Sequence, residues 1–298
     1  MMKVLLTGAN GQLGRCLLDR LRTNRDIEFF ALDSAELDIV DATRVEQALD
    51  EFSPDILINA AAYTAVDRAE EEPELARKVN LQGAENLARA TARRGAVMIH
   101  VSTDYVFDGR ADRPYKEEDQ TGPAGVYGQT KLAGEKAVSG FCPKHIILRT
   151  AWVYSEYGNN FVKTMLRLAA TRDELNVVAD QIGCPTYAGD IADTILKICL
   201  NLSGKPAWGT YHYVGATRCS WADFARAVFA EARKQGILQK EVLVHDIATS
   251  EYPTPAKRPT YSVLDCGKIS AHFDVIPVPL AQSLAKVLES LVSQQDKL

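Results

Sequence analysis

The chain has 298 residues, of which 46% are hydrophobic and 24% are charged, a composition typical of an ordinary soluble globular protein. Its formal net charge of −5 comes without a basic stripe, which argues against nucleic acid as the main partner. No apolar run approaches the roughly 18 to 20 residues of a membrane span. The first residues lead into an apolar strand pattern rather than a signal peptide, so the sequence predicts a cytoplasmic protein.

The first half of the chain alternates short apolar runs with segments of helical spacing. Continuous apolar runs are typical of parallel strands covered on both faces. Such strands are predicted at Val4–Leu6, Glu28–Leu32, Ile56–Ile58, Val97–Val101 and Ile146–Leu148. Helices are predicted between them at Gln12–Leu21, Val45–Phe52, Ala76–Arg93 and Tyr127–Val138, with Asp41 as a cap and Gly95 as a stop. These repeats predict an α/β fold, a Rossmann-type doubly wound parallel sheet over residues 1–152.

The pattern becomes less regular after residue 152. Helices are predicted at Asn160–Ala170, Asp190–Leu200, Trp221–Gln235 (capped by Ser220) and Leu280–Val292, and strands at Leu175–Val178 and Thr210–Val214. Three prolines between Thr249 and Tyr261 predict a loop there. We therefore expect a smaller C-terminal substrate lobe formed by residues 153–173 and 201–298, with residues 174–200 returning to the Rossmann domain.

A glycine-rich turn follows the first predicted strand. Gly8, Gly11 and Gly14 have G-x-x-G-x-x-G spacing, and a helix pattern begins directly after the turn. A strand, a glycine turn and a helix N-terminus together hold the pyrophosphate of a dinucleotide on backbone N–H groups. Asp33 ends the second strand, where its carboxylate can accept from ribose hydroxyls and favours NADH over NADPH.

A second chemical pattern lies at Tyr127 and Lys131, which are four residues apart on one predicted helix face. An ammonium beside a phenol favours proton transfer by a tyrosine whose unperturbed pKa is about 10. Thr103 follows the fourth strand and can hydrogen-bond the same carbonyl oxygen. The set of hydroxyl, phenol and ammonium predicts an enzyme that adds a hydride and a proton to a carbonyl.

The chain resembles the extended short-chain dehydrogenase/reductases, and among them the dTDP-4-dehydrorhamnose reductase family. The resemblance covers nearly the whole chain. Its most specific segments are Asn59–Glu70, Ser102–Gly109, Val126–Lys136, Arg149–Tyr154, Gly158–Met165 and Pro253–Pro259. The resemblance implies reduction, with NADPH or NADH, of the 4-keto group of dTDP-4-dehydro-L-rhamnose (dTDP-6-deoxy-L-lyxo-4-hexulose) to dTDP-L-rhamnose.

The resemblance also implies roles for individual residues. Tyr127 is the catalytic acid, Lys131 its partner and ribose anchor, and Thr103 the hydroxyl that polarises the carbonyl. Asp104 and Trp152 contact the sugar nucleotide. The residues that contact the cofactor are Gly11, Gln12, Leu13, Asp33, Asp38, Ile39, Ala62, Tyr63 and Thr64. We add Arg258 as a ligand of the substrate pyrophosphate, because a guanidinium fork in a proline-stiffened loop suits phosphate.

Metal binding is not expected. Some family members dimerise around magnesium with acidic side chains, one of them just after the third glycine, and Arg15 places a cation in that region. The six cysteines are scattered, without a C-x-x-C pair, and are predicted to be reduced thiols. We therefore expect a monomer or homodimer without bridging magnesium.

Two other functions remain open at this point. A nucleotide-sugar epimerase or 4,6-dehydratase, or another 4-ketoreductase, would share the fold and the Tyr–Lys pair. Dehydratases with this fold place an acid after a Thr–Asp pair, and here that position is Tyr105, which favours reduction. The second of these functions is that of a non-catalytic dinucleotide-binding regulatory subunit, like the β subunit of methionine adenosyltransferase. The intact set of Thr103, Tyr127 and Lys131 argues against it.

Overall fold

The computed structural model describes residues 1–202 and 208–295. The strands are β1 (Met2–Thr7), β2 (Ile27–Leu32), β3 (Ile56–Asn59), β4 (Val97–Thr103), β5 (His145–Thr150), β6 (Val153–Tyr154), β7 (Glu174–Val178), β8 (Ile182–Gly183), β9 (Thr186–Tyr187), β10 (Gly209–His212), β11 (Cys219–Ser220) and β12 (Leu243–Ile247). Residues 203–207 and 296–298 of the predicted lobe lie outside the described residues.

Helices separate most of these strands. They are α1 (Gln12–Thr23), α2 (Ala42–Phe52), α3 (Val66–Glu71), α4 (Pro73–Arg77), α5 (Ala84–Arg93), α6 (Val126–Phe141), α7 (Phe161–Ala169), α8 (Ala188–Asn201), α9 (Trp221–Lys234), α10 (Gly267–Phe273) and α11 (Leu280–Gln295). A π-helical turn, Lys78–Gly83, joins α4 to α5, and 3₁₀ turns form at Asp104–Val106 and Thr249–Glu251.

The central sheet has six strands in the order β10-β5-β4-β3-β1-β2, and every pair is parallel. The predicted α/β class and doubly wound sheet are confirmed. β2 and β3 lie on opposite sides of β1, so the strand order reverses there. In such sheets ligands bind outside the carboxyl ends of the strands at this switch point, which here is formed by the segments following Thr7 and Asn59.

Alternation along the strands gives the sheet two buried faces. Val4, Leu6 and Ile58 pack in one core with α1 and α8, whereas Leu5 and Leu57 pack in another with α2 and α5. Side chains of a strand point to alternate faces, so a fully apolar run serves both cores. This explains why the five strands of the first half could be located from apolar runs.

The second half differs in detail from the prediction. The strand pattern at residues 210–214, assigned to the lobe, gives β10, which pairs with β5 in the central sheet. The strand at residues 175–178, assigned to the Rossmann domain, gives β7, which pairs with β12 outside that sheet. Strand pairing depends on residues far apart in the sequence, and the local pattern did not contain it. The division into two domains stays a prediction.

Several helix ends follow their predicted signals. The Asp41 side chain accepts from the backbone N–H groups of Thr43 and Arg44 at the start of α2. Ser220 forms a reciprocal capping box with Asp223 at the start of α9. Gly95 follows α5 with a φ of +65°, as helix-ending glycines do. No helix among the residues the structure covers is long and apolar enough to cross a membrane.

We expect Gly14→Ala to destabilise the protein by about 3 kcal/mol, because a Cβ at Gly14 would overlap the backbone carbonyl oxygens of Gly8 and Ala9. The matched control is Gly140→Ala on α6, where no atom lies within 4 Å of the added Cβ. This control should keep or slightly raise stability. Urea unfolding midpoints measure both, and equal midpoints for the two variants would contradict the packing argument.

Candidate functional site

The glycine turn between β1 and α1 forms a cradle for an anion. Gly8 has a φ of +76°, and a Cβ there would lie 2.6 Å from the backbone nitrogen of Ala61. Helix α1 begins after Gly11, which provides no side-chain cap for the first turn. The free N–H groups of a helix N-terminus attract negative charge. The residues present therefore fit the pyrophosphate of a dinucleotide.

Asp33 lies beside this turn, with its carboxylate already engaged. One oxygen accepts from the Asn10 side chain, and the other accepts from the backbone N–H of Ala35 at 2.8 Å. Asp33 therefore shapes the loop after β2 and joins it to the glycine turn. Ile39 is buried and packs against Gly83, while Asp38 is exposed beside it.

Asn80 connects the loop after β3 with helix α6. Its side-chain oxygen accepts from the backbone N–H of Tyr63 at 2.9 Å, and its side-chain nitrogen donates to the Tyr63 carbonyl at 3.1 Å. The same nitrogen donates to the Thr130 hydroxyl at 3.2 Å. Asn80 lies in the π-helical turn, a local distortion that is frequent at functional sites. It fixes the segment Ala62–Thr64 relative to the helix that carries Tyr127 and Lys131.

The predicted chemical set meets at the carboxyl end of β4. The Thr103 hydroxyl donates to Asp104 Oδ1 at 2.9 Å, and Asp104 is only 3% exposed. Tyr127, in the first turn of α6, meets the Tyr105 ring edge-on at 5.4 Å between centroids. Thr103 and Asp104 also act electrostatically on the Tyr127 phenol. The structure thus brings Thr103, Asp104 and Tyr127 together.

Burial governs the protonation of these groups. It raises the pKa of Tyr127, assisted by the Asp104 charge and opposed by the hydrogen bond to Thr103. It also raises the pKa of Asp104 to about 6. The protein alone therefore keeps the Tyr127 phenol neutral, which is the form that donates a proton.

Lys131 lies one turn after Tyr127 and is 2% exposed. Its ammonium donates to the backbone carbonyl of Val101 at 2.7 Å, which anchors α6 to β4. Burial lowers the pKa of Lys131 to about 8, and the carboxylate of Glu135 opposes this effect. Lys131 is thus placed beside the chemical set, with its proton held less firmly than in an exposed lysine.

Arg258 reaches the same end of the sheet from the proline-rich loop. Its guanidinium pairs with Asp67 at 2.6 Å and donates to the Tyr105 hydroxyl at 3.0 Å. A cavity of about 120 Å³ opens here. Its charged lining residues are the cations Arg110, Lys257 and Arg258 and one anion, Asp108, and Tyr105 lines it beside them. The predicted phosphate ligand is therefore in a basic cavity next to Tyr127.

Trp152 is partly buried and stacks face to face on Trp221, with ring centroids 3.5 Å apart. Its φ of +47° lies in the left-handed region, which is strained for a bulky side chain. It also packs against the apolar cluster that contains Val106 and Tyr261. Trp152 thus packs in a core two residues after Thr150, the β5 partner of Thr103, and such strained residues cluster at functional sites.

The Gln12 side chain joins the glycine turn to the segment after β6. Its oxygen accepts from Ser155 at 3.0 Å and from the Asn160 side chain at 2.9 Å. The Arg15 guanidinium lies 5.5 Å from the centre of the Tyr157 ring. Within the described ranges, no group of three or more His, Cys, Asp or Glu side chains is arranged to hold a metal ion.

Sequence reasoning missed several residues of this site, among them the cavity cations Arg110 and Lys257, the polar Asn80 and the anion Asp67. Asn80 occupies a buried position of its helix, between Ala76 and Gly83. A polar residue at a helical position that should be apolar was the signal by which Asn80 could have been found. Asp67 carried no such signal, because its importance depends on a partner 191 residues away in the sequence.

Comparison with known proteins agrees with this geometry. The family model for the RmlD substrate binding domain matches residues 2–293. The dTDP-4-dehydrorhamnose reductase of Aggregatibacter actinomycetemcomitans is 48% identical over 289 residues, which cover 96% of this chain and 98% of that protein.

Solved structures give the same result. A dTDP-4-dehydrorhamnose reductase from Clostridium acetobutylicum is 43% identical, with a TM-score of 0.90 over 98% of this chain and 100% of that one. The enzyme of the same name from Bacillus anthracis, solved in complex with NADP, is 39% identical, with a TM-score of 0.88 over 99% and 100% of the two chains. The resemblance noted in the sequence is confirmed, and the chain belongs to the dTDP-4-dehydrorhamnose reductase family.

Proposed function

We propose that this protein reduces the 4-keto group of dTDP-4-dehydro-L-rhamnose to give dTDP-L-rhamnose, with NADPH or NADH as the reductant. The observation that carries the proposal is the position of Thr103, Tyr127 and Lys131. They lie at the carboxyl ends of the sheet, on the side where the glycine turn offers an anion cradle. The relatives' names supply the substrate, and the NADP complex of the Bacillus anthracis enzyme supports the cofactor.

The reaction adds one hydride and one proton across the carbonyl. The reduced nicotinamide supplies the hydride to the keto carbon when it is bound. The Thr103 hydroxyl is placed to hydrogen-bond the keto oxygen, and the Tyr127 phenol to protonate it. The raised pKa of Tyr127 keeps its proton available before the reaction. The Lys131 ammonium then stabilises the phenolate and holds the ribose hydroxyls of the cofactor.

The cofactor is assigned to the loops around the switch point. Gly8, Gly11 and Gly14 allow backbone to approach the pyrophosphate, with Gln12 and Leu13 in the first turn of α1. Asp33, Asp38 and Ile39 would line the adenosine of the bound cofactor, and Ala62, Tyr63 and Thr64 would line the cofactor from the loop after β3. Asp33 already accepts from the Asn10 side chain of the glycine turn and from the Ala35 backbone of its own loop, so both NADH and NADPH stay within this proposal.

We assign the substrate to the side of Tyr127 that is opposite to the cofactor. The three cations of the cavity suit a diphosphate, and Arg258 offers a planar fork to it. Asp104 Oδ2 is buried without a well-formed hydrogen bond to the rest of the described chain, and a sugar hydroxyl would satisfy it. Trp152 provides an apolar face beside these polar groups.

Elimination chemistry is disfavoured by the residue after Asp104. Tyr105 occupies the place where a dehydratase of this fold would carry an acid, and its hydroxyl accepts from Arg258.

Arg15 likewise supports a monomer or homodimer without bridging magnesium, since its guanidinium would repel a metal ion beside α1.

The direct test follows NADH and NADPH absorbance in parallel. The substrate is formed in situ from dTDP-glucose by a 4,6-dehydratase and a 3,5-epimerase. Cofactor consumption that requires both auxiliary enzymes is the expected result. Dinucleotide binding without consumption would overturn the proposal in favour of a regulatory subunit. Tightly bound NAD in the purified protein, with no net consumption, would favour an epimerase.

Tyr127→Phe should lower kcat by about 10²- to 10⁴-fold, because it removes the proton donor and keeps the ring. Affinity for NADPH, measured by fluorescence titration, should stay within twofold of the wild type. Tyr252→Phe is the matched control, since Tyr252 is 61% exposed and should leave kcat unchanged. Turnover retained by Tyr127→Phe would remove Tyr127 from the acid role.

Arg258→Lys should raise KM for the sugar nucleotide roughly tenfold, because a lysine keeps the charge and loses the bidentate fork. The kcat of this variant should change much less than its KM. Arg113→Lys, which alters an exposed arginine paired with Asp119, is the control. Steady-state kinetics at saturating NADPH separate the two constants, and an unchanged KM would exclude Arg258 from diphosphate binding.

Asp104→Asn should change how stability depends on pH. Burial raises the pKa of Asp104 in the folded state from its ordinary value of 3.8 to about 6, so between these values the folded state keeps a proton that the unfolded state releases. Wild-type stability therefore falls as pH rises from 4 to 6, by roughly 3 kcal/mol at most. The stability of Asp104→Asn should not fall over this pH range. The control is Asp112→Asn at an exposed position, whose stability should fall as that of the wild type does. Urea unfolding at pH 4 and pH 7 is the measurement, and identical pH dependence in Asp104→Asn and wild type would contradict it.

A further inference from the structure

Helix α6 carries a third charged residue one turn beyond Lys131. Tyr127, Lys131 and Glu135 are spaced four residues apart, so they follow one another along one face of the helix. The Glu135 carboxylate forms a two-pronged ion pair with Arg149 on β5, with distances of 2.9 and 2.7 Å. Both side chains are only 5% exposed. A buried ion pair thus lies directly after the predicted catalytic residues.

On the side away from Glu135, Arg149 is surrounded by uncharged groups. Arg149 lies 3.4 Å from His212 Nε2 and 5.0 Å from the centre of the Phe107 ring. Burial and the Arg149 charge lower the pKa of His212 to about 3, so the ring is neutral, and its Nδ1 donates to the Tyr115 carbonyl at 3.1 Å. The guanidinium is therefore fixed in place and holds the Glu135 carboxylate in one position.

Stability alone does not account for these charges. Burying two ions removes their hydration, and apolar side chains of similar volume are often as stable or more so. The placement of the carboxylate one turn from a buried ammonium offers another reason. Lys131 donates to the Val101 carbonyl at 2.7 Å, and burial lowers its pKa to about 8.

Glu135 is the group that opposes the lowering of the Lys131 pKa. The titratable groups packed around Lys131 and Glu135 are Tyr127 on the same helix, His100 on β4, Arg149 on β5 and His212 on β10. Burial holds the pKa of His100 well below its usual value, so this ring is neutral. Glu117 accepts from the His212 backbone N–H at 3.0 Å. Glu135 is the anion that acts on Lys131, and its charge raises the pKa of Lys131.

We propose that Glu135 is a positioning residue for the reduction: held by Arg149, its carboxylate lies one turn beyond the Lys131 ammonium as its counter-charge and fixes the helical turn that presents Tyr127. The inference rests on the proposed function, because Lys131 acts there as the charged partner of Tyr127. It adds the next turn of α6 to the machinery, although Glu135 touches neither substrate nor cofactor.

Two substitutions separate the charge of Glu135 from its shape. Glu135→Gln keeps the shape and removes the charge, so the alkaline limb of the pH profile of kcat should move to lower pH by about one unit. Glu135→Asp keeps the charge and shortens the side chain, so its limb should stay near that of the wild type even where kcat falls. Glu85→Gln is the matched control, because Glu85 forms an exposed pair with Arg89 on α5.

Glu135→Gln leaves Arg149 without its partner, so folding is checked first by circular dichroism. If this variant does not fold, Glu135→Gln combined with Arg149→Gln replaces it, since two amides can pair without a buried charge. The double variant should also show a limb at lower pH than the wild type. The pH dependence of NADPH affinity, measured by fluorescence without substrate, should shift in the same direction.

An alkaline limb and an NADPH titration that stay at the wild-type pH in the neutral variants would overturn the role of Glu135. A limb displaced equally in Glu135→Asp and Glu135→Gln would also overturn it, by indicating a structural effect. Failure of the proposed function is distinguishable, because it appears as absent turnover in the wild-type protein itself.

Discussion

The burial of one cation, the ammonium of Lys131, constrains much of this structure. A charge removed from water must find acceptors and an opposite charge within the protein. Here the Val101 carbonyl at the end of β4 and the Glu135 carboxylate provide them, so α6 must lie directly on the sheet. Gly134 permits α6 to pack closely on the π-helical turn as well, because a side chain there would overlap the Asn80 carbonyl. The position of Tyr127 at the carboxyl ends of the strands follows from this packing.

The features that could be predicted from the sequence are local ones. A strand, a glycine turn and a helix lie next to one another in the chain, and the spacing of Tyr127 and Lys131 fixes their relative position once a helix forms. The pairing of Arg258 with Asp67 could not be predicted, because it joins segments brought together only by the complete fold. The same applies to β10, whose partner in the sheet is β5. The π-helical turn around Asn80 depends on bonds to Tyr63 and Thr130 that local periodicity does not contain.

Distant parts of the chain are joined by buried polar contacts around the site. Gln12 in the glycine turn bonds Ser155 and Asn160, and the His212 backbone N–H donates to Glu117 at 3.0 Å. Asp67 also accepts from the backbone N–H of Ala256, so it holds the proline-rich loop at two points. The segments assigned to cofactor and to substrate are therefore parts of one connected structure.

The stack of Trp152 on Trp221 gives the protein an optical property. Two indole rings at 3.5 Å and nearly parallel have strongly coupled electronic transitions, and the coupling falls steeply as the rings separate or rotate. Trp152 follows the central strand β5, whereas Trp221 begins α9 in the region beyond the sheet. The near-ultraviolet circular dichroism of the chain therefore carries a signal that depends on the distance between these two regions, and it does so without any added label.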